Sequence, residues 1–244
     1  MFSFFLLFLL VGFIIHLLIR HFFKKRNFVD SPDGIKKQHE MAVPISGGLS
    51  FGLSYYLFIF ICLLIFYIDI NNFLNVQLSI DGYGVDFPFF AFLILLLLSL
   101  VLLIICLIDD LISLPIWVRL FTQISCSVLF IQLGGVSLIN LGSLLGGGEI
   151  ILQESIAFIF TIFCIVGVTN AFNWIDGIDG FFGSQVLIAI MGIMILSGRI
   201  SIFHIAFLSA ILPYIVMNLG LLGDKFKVFI GDHGAMMIGF LIAG

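Results

Sequence analysis

The sequence predicts an all-α, polytopic membrane protein. Of its 244 residues, 62% are hydrophobic and only 10% are charged, with a mean hydropathy of +1.30. A water-soluble domain of this length needs far more polar surface than that. Several apolar runs also approach or exceed the ~18–20 residues with which a helix crosses a bilayer. The connections between the runs are short, which predicts a single integral membrane domain over residues 1–244.

About eight apolar runs are expected to be transmembrane helices, and the last of them is expected to be incomplete. The first run has neither a basic n-region nor a small-residue cleavage site, so we expect a span and not a removed signal peptide. The expected spans cover residues 2–20, 45–68, 88–108, 116–133, 155–171, 181–197 and 200–219, with an eighth beginning near Ala235.

Charge and cysteine spacing argue against two classes of function. The net charge is −4 and no basic stripe is present, which argues against nucleic-acid binding. The cysteines lie inside apolar runs without C-x-x-C spacing, so we expect core residues and neither disulfides nor metal ligands. They are Cys62, Cys106, Cys126 and Cys164.

The basic residues predict the orientation of the chain. Cytoplasmic loops carry an excess of Lys and Arg, and the loop after the first span is the most basic in the sequence. We therefore expect the N-terminus outside, and counting spans from there places every basic residue except Arg199 inside. The same count brings four polar segments to the cytoplasmic face: residues 36–48, 109–115, 170–180 and 229–234.

Two adjacent aspartates, Asp109 and Asp110, follow the third apolar run. The C-terminus of a helix is partially negative, so carboxylates are unfavourable there unless they have a role. Adjacent helical residues point about 100° apart, which predicts that the two aspartates do not share one role. The alternative is that both are solvated turn residues, with Ser113 and Pro115 starting the next helix.

The segment NAFNWIDGIDG (170–180) places four polar side chains between long apolar runs. The three-residue spacing of Asp176 and Asp179 predicts that they share one helical surface, which Asn170 and Asn173 extend. Gly177 and Gly180, which follow the two aspartates, break the regular helix here and allow a ligand to approach the backbone closely. A pair of Asp-Gly turns is the alternative, although turns do not explain the two asparagines.

The expected crowding of carboxylates on one face predicts a bound metal. Like charges repel unless a cation joins them, and oxygen ligands suit Mg²⁺ or Mn²⁺, which commonly bridge phosphates. The basic loop is suited to a diphosphate. The sequence thus favours an enzyme for phosphorylated substrates over a cation or proton transporter, whose acids usually lie near the bilayer midplane. The carboxylates are Asp109, Asp110, Asp176, Asp179 and Asp232, and the basic residues are Lys36, Lys37 and His39.

Four ordered motifs carry a resemblance to a known family: KKQHEMAVPISGGLSFG, IDDLISLP, NAFNWIDGIDG and the stretch from ILPYIVMNLG to FIGDHGAMMIGF. With them the chain resembles the polyprenyl-phosphate N-acetylhexosamine-1-phosphate transferases of glycosyltransferase family 4, and most of all those specific for GlcNAc. The resemblance runs from the first loop to the C-terminus. It implies a multi-pass protein of the bacterial inner membrane with its active site facing the cytoplasm.

The resemblance also implies a reaction. Undecaprenyl phosphate attacks the β-phosphorus of UDP-GlcNAc, giving undecaprenyl-diphospho-GlcNAc and UMP, in the step that initiates lipid-linked O-antigen and enterobacterial common antigen. The implied partners are these two substrates and the lipid bilayer, with a homo-oligomer among the alternatives. The implied cofactor is Mg²⁺, with Mn²⁺ as an alternative.

Residue roles carry over by the same resemblance. The catalytic set is Asp109, Asp110 and Asp176, with one of the first two acting on the lipid phosphate. Asp232 and Asp176 are the expected metal ligands. The expected substrate-binding residues are Lys36, Lys37, His39, Asn173, Asp179 and Lys227.

This chain departs from the family at two points. Members usually read GDAGS or GDTGS, where this chain has His233 and Ala235. Members also continue into further spans and a loop with a His-x-His-His motif, which predicts that this chain is truncated. The alternatives that stay open are a phospho-MurNAc-pentapeptide transferase, an inactive fragment and a cation or proton transporter.

Overall fold

The computed structural model describes residues 2–31, 41–68, 89–143, 146–198 and 200–244. Within them the chain forms eight α-helices and one two-stranded antiparallel sheet, in which β1 (Val29–Asp30) pairs with β2 (Val43–Pro44). The helices are α1 (Phe2–Lys25), α2 (Gly47–Ile68), α3 (Phe89–Ile112), α4 (Ile116–Gly134), α5 (Glu154–Trp174), α6 (Phe181–Ser197), α7 (Ile202–Asn218) and α8 (Gly231–Ala243).

The helices confirm the prediction of a polytopic helical membrane protein. The first five, α1 to α5, are long and apolar enough to cross a membrane. The apolar helices α6 and α7 have 17 residues each, or about 26 Å at 1.5 Å per residue, near the lower limit for a span. Each predicted span coincides with one of these helices.

Three helices extend beyond their predicted ends because polar residues at a membrane surface can continue a helix. The first span was expected to end at residue 20, but α1 continues to Lys25 and includes Lys24. Long basic side chains reach the headgroups from such a helix end. Likewise, α3 ends at Ile112 and α5 at Trp174, both beyond the predicted ends.

The chain divides into two compact units, of which unit 1 comprises Met1–Phe87 and Asp176–Gly234. Its core joins α1, α2 and α7. The rings of Phe8 and Phe58 stack with their centroids 4.5 Å apart, and the ring of Phe51 meets that of Phe207 edge-on at 5.0 Å. At Gly12 a Cβ atom would lie 2.9 Å from a backbone carbonyl of α7, so the glycine permits close packing of these helices.

Unit 2 comprises Pro88–Ile175 and Ala235–Gly244. Its core is formed by buried side chains of α3, α4, α5 and the second half of α8. None of the four cysteines forms a disulfide; Cys62, Cys106 and Cys126 are buried, as predicted for core residues, whereas Cys164 is only half-buried. The core residues of unit 2 are Ala91, Ile94, Leu95, Leu98, Leu102, Cys126, Phe130, Ile165 and Phe240.

Candidate active site

In unit 2, Asp109 fixes the connection between α3 and α4. It lies in the last turn of α3 and is only 8% exposed. Its Oδ1 accepts a hydrogen bond of 2.6 Å from the N–H of Leu114, and its Oδ2 lies 3.2 Å from Nη1 of Arg119 on α4. The turn is tight, since Ser113 has a φ of 54°. The backbone donor and the guanidinium offset the unfavourable position of this carboxylate at a helix C-terminus.

Asp110, the next residue, is half-buried and lies in the same turn of α3. Its neighbour Asp109 uses both carboxylate oxygens within the α3–α4 connection. Asp109 therefore has a structural task within unit 2, and the catalytic roles expected for Asp109 and Asp110 stay predictions.

The asparagines of α5 also differ from each other. Asn170 donates from Nδ2 to Oε1 of Gln123 at 2.5 Å and to the carbonyl of Val166 at 2.8 Å. This amide pair joins α5 to α4, so Asn170 stabilises the packing of unit 2. Asn173, the predicted substrate-binding residue, is half-buried in the last turn of α5.

The predicted helical surface for Asp176 and Asp179 is wrong. Helix α5 ends at Trp174, residues 175–180 form turns, and α6 begins at Phe181. Gly180 has a φ of 73°, a left-handed conformation that glycine adopts without strain and that ends the turn. The Asp-Gly turn alternative is thus correct for these two residues. Asp176 is half-buried and Asp179 is 45% exposed.

Asn218 holds this turn from the end of α7. Its Oδ1 accepts a hydrogen bond of 2.7 Å from the N–H of Gly180, and its Nδ2 donates to the carbonyl of Val228 at 3.0 Å. The side chain is 3% exposed. One buried amide therefore ties the residue after Asp179 to the residue after Lys227.

Asp179 and Lys227, which precede Gly180 and Val228, form an ion pair between Oδ2 of Asp179 and Nζ of Lys227. The 3-10 turn Asp224–Phe226 leads into Lys227 and is anchored by Arg20 of α1. The Arg20 guanidinium donates to the carbonyls of Lys225 and Lys227, the latter at 3.3 Å from Nε. It also lies 5.7 Å from the centroid of the Phe226 ring. Arg20 thus positions the backbone that carries Lys227.

Asp232 lies in the first turn of α8 and is half-buried. A carboxylate is favourable there because the helix N-terminus is partially positive. Gly231, the first residue of α8, has a φ of 74°, a left-handed conformation that glycine adopts without strain. The predicted basic residues Lys36, Lys37 and His39 lie outside the described residues.

Comparison with known proteins identifies the family. The family model for glycosyl transferase family 4 matches residues 92–244. The chain belongs to glycosyl transferase family 4. The resemblance seen in the motifs is thereby confirmed, and the family is one of sugar-1-phosphate transferases.

Several relatives of the family 4 chain carry the name undecaprenyl-phosphate alpha-N-acetylglucosaminyl 1-phosphate transferase. The protein from Escherichia coli O157:H7 is 32% identical over 90% of this chain and 54% of its own length. That from Pasteurella multocida (strain Pm70) is 34% identical over 95% of this chain and 59% of its own length. The Yersinia pestis protein is 38% identical over 54% of this chain and 37% of its own length. The chain spans about half the length of the curated relatives it matches.

Two residues of the site were missed by the sequence analysis. Arg20 was used only to orient the first span, and Asn218 was not singled out. The signal available for Asn218 is a lone amide at the end of the apolar run ILPYIVMN, directly before a glycine-containing turn. A buried amide at such a position needs hydrogen-bond partners, which indicates a tie between segments.

Proposed function

We propose that this protein transfers GlcNAc-1-phosphate from UDP-GlcNAc to undecaprenyl phosphate. An oxygen of the lipid phosphate forms a bond to the β-phosphorus, the bond from that phosphorus to the bridging oxygen breaks, and UMP leaves. The proposal depends above all on membership of family 4 together with the shared name of relatives that match 90–95% of the chain. That name favours the GlcNAc reaction over the phospho-MurNAc-pentapeptide alternative and over a transporter.

The cytoplasmic side of the bacterial inner membrane is the proposed location of the reaction. A soluble nucleotide sugar must meet a lipid phosphate at the headgroup level. The candidate residues lie at helix ends and in turns, which is where such a meeting is possible, and the apolar helices supply surface for the polyprenyl chain. The excess of basic residues in the loop after α1 supports the cytoplasmic orientation.

The donor chemistry of Asp176 and Asp232 suits a divalent cation, for which we propose them as ligands. Asp176 and Asp232 both belong to unit 1, both are half-buried, and both offer hard oxygen donors. Mg²⁺ and Mn²⁺ prefer such donors, and family 4 enzymes generally depend on a divalent metal. When bound, the cation offsets the negative charge that develops on the leaving UMP.

The remaining roles belong to the protein's own side chains. Asp110 receives the proton of the lipid phosphate or orients that phosphate for attack. Asn173 and Asp179 contact the nucleotide. Lys227, held by its ion pair with Asp179, offers its other N–H donors to phosphate oxygens. Lys36, Lys37 and His39 supply further charge for the diphosphate. Positioning and charge stabilisation of this kind account for most phosphoryl-transfer catalysis.

A transfer assay tests the proposal. Membranes that lack any other GlcNAc-1-phosphate transferase but contain this chain receive undecaprenyl phosphate, Mg²⁺ and radiolabelled UDP-GlcNAc. We expect label to enter the lipid fraction and UMP to be released in equal amount. Asp176→Asn is expected to abolish the transfer while the protein still reaches the membrane.

Two further arms make the outcome decisive. UDP-glucose and UDP-MurNAc-pentapeptide replace the labelled donor, and transfer from either in preference to UDP-GlcNAc contradicts the proposed sugar. Binding of UDP-GlcNAc to the purified protein in nanodiscs is measured by calorimetry. If the protein neither transfers label to lipid nor binds UDP-GlcNAc, the proposed function is overturned.

A further inference from the structure

The N-terminus of α2 contacts the segment that leads into α8, and both lie in unit 1. The first N–H groups of a helix have no partner within it. Here the N–H of Gly47 donates to the carbonyl of Phe229 at 2.8 Å, and that of Gly48 donates to Ile230 at 2.9 Å. The next donor, Leu49, is paired as well. Its N–H donates at 3.0 Å to Nε2 of the His233 imidazole.

These three bonds complete the end of the helix. The following N–H, of Ser50, already bonds to the carbonyl of Ser46 at 3.0 Å, as the first bond of the helix itself. The three preceding donors are therefore all satisfied by residues 229–233. Two are held by backbone carbonyls, and the third depends on one side chain, that of His233.

Glycines bring the two segments into backbone contact. A Cβ atom on Gly48 would overlap the backbone of Gly234, and one on Gly234 would overlap Gly48 in the same way. A Cβ on Gly47 would lie 2.8 Å from the carbonyl oxygen of Phe229. The start of α8 is thus fixed against the start of α2 with no space for adjustment.

The ring of His233 is fully buried and its Nε2 acts as an acceptor. An accepting Nε2 requires the neutral ring with its proton on Nδ1. A nitrogen whose lone pair faces a backbone N–H is not available to bind a metal. This geometry distinguishes His233 from its neighbour Asp232, which is half-buried in the same first turn of α8.

We infer that His233 is a positioning residue for the metal ligand Asp232, acting by locking the first turn of α8 onto the N-terminus of α2. The inference rests on the proposed function, because it assumes that Asp232 binds the divalent cation.

Three variants of the chain in nanodiscs test this role, with Mn²⁺ as the probe and electron paramagnetic resonance as the readout. In His233→Gln the side-chain oxygen reaches about as far as Nε2 and can accept from Leu49. In His233→Asn the same chemical group is one bond shorter and cannot. His204→Leu is the matched control, because His204 also accepts a backbone N–H at a helix start, that of Ser201 before α7.

We expect His233→Asn to weaken Mn²⁺ binding about tenfold, the lower end of the range for loss of a group that orients a metal ligand, and His233→Gln to keep it within about threefold. The control is expected to change the affinity by less than about twofold. Asp232→Asn gives the reference for loss of a ligand. In the unmodified chain, the ¹⁵N resonance of Nε2 should have the shift of an unprotonated ring nitrogen.

Each other outcome contradicts the inference. Equal, severe losses in the Gln and Asn variants would make His233 a ligand itself, and no loss in either would leave it without a positioning role. A protonated Nε2 would refute the proposed bond even if a variant failed to fold. If Asp232→Asn leaves Mn²⁺ binding unchanged, the positioning role is overturned, while the transfer assay still decides the proposed function independently.

Discussion

Asp109 and Asp179 each form an ion pair with a basic side chain, but the two pairs differ in burial and in the sequence distance to the partner. Asp109 is 8% exposed and bonds to residues five and ten positions later in the chain. Asp179 is 45% exposed, and its partner Lys227 is 48 positions away. The first pair stabilises a local connection between consecutive helices. The second depends on distant segments that Asn218 and Arg20 hold in place, and it leaves a carboxylate accessible to a ligand.

The largest effect is expected from Asn218→Leu. This change removes the partner of the half-buried N–H of Gly180 and of the buried carbonyl of Val228, and an unpaired buried group costs about 1–3 kcal/mol. We expect the free energy of unfolding to fall by about 3 kcal/mol, which thermal denaturation in detergent would show as a lower midpoint.

Asn140→Leu is the matched control for that change. Asn140 also makes two hydrogen bonds, to Glu149 and to the N–H of Gly142, but in an exposed turn region where water can replace the lost partner. Its expected cost is below about 1 kcal/mol. Equal costs for the two asparagines would show that Asn218 is not the tie between its two segments.

The second prediction separates Asp110 from Asp109. Asp110→Asn is expected to lower the transfer rate at least about 100-fold, the range for loss of a general base, with little change in stability. Asp109→Ala is expected to cost about 2 kcal/mol of stability, because Leu114 and Arg119 lose their partner. Transfer rates and thermal midpoints measured on both variants check this.

Asp109→Asn sharpens the same test. Its amide oxygen can still accept from Leu114, so about half of the stability loss should be recovered. A variant with normal stability but no transfer would instead return Asp109 to the catalytic set.

The same contrast explains which features can be predicted from the sequence. The helices can be predicted from the apolar runs because a helix makes its backbone hydrogen bonds within its own segment. No distant segment is needed to recognise it. The Asp-Gly dipeptides of residues 176–180 likewise contain the information for their turn. The pairing of Asn170 with Gln123, or of Asn218 with Gly180, leaves no periodic pattern, because it joins residues 38–47 positions apart. The helical surface expected for Asp176 and Asp179 was wrong for a related reason: three-residue spacing fits both a helix and a repeated turn.

The smallest effect on stability is expected from substitutions in the partly exposed ion pair of Asp179 and Lys227. Asp179→Asn and Lys227→Met should each change stability by less than about 1 kcal/mol, since partly exposed ion pairs contribute little. The same substitutions should change the affinity for UDP-GlcNAc more than they change stability, because without Asp179 the Lys227 ammonium is no longer held in place. We expect each substitution to weaken binding about tenfold in calorimetry, a cost that the loss of one charge-assisted hydrogen bond explains.

A double-mutant cycle measures whether the two residues act together. If Lys227 acts through its pair with Asp179, the combined variant should be little weaker than either single one, with a coupling energy of about 1 kcal/mol. That coupling should decrease between about 50 and 500 mM salt, because solvent ions screen exposed charges. Additive losses that do not respond to salt would mean that each residue contacts the nucleotide independently. Asp179 would then resemble Asp109 in having a fixed task of its own, and the distinction between the two pairs would rest on burial alone.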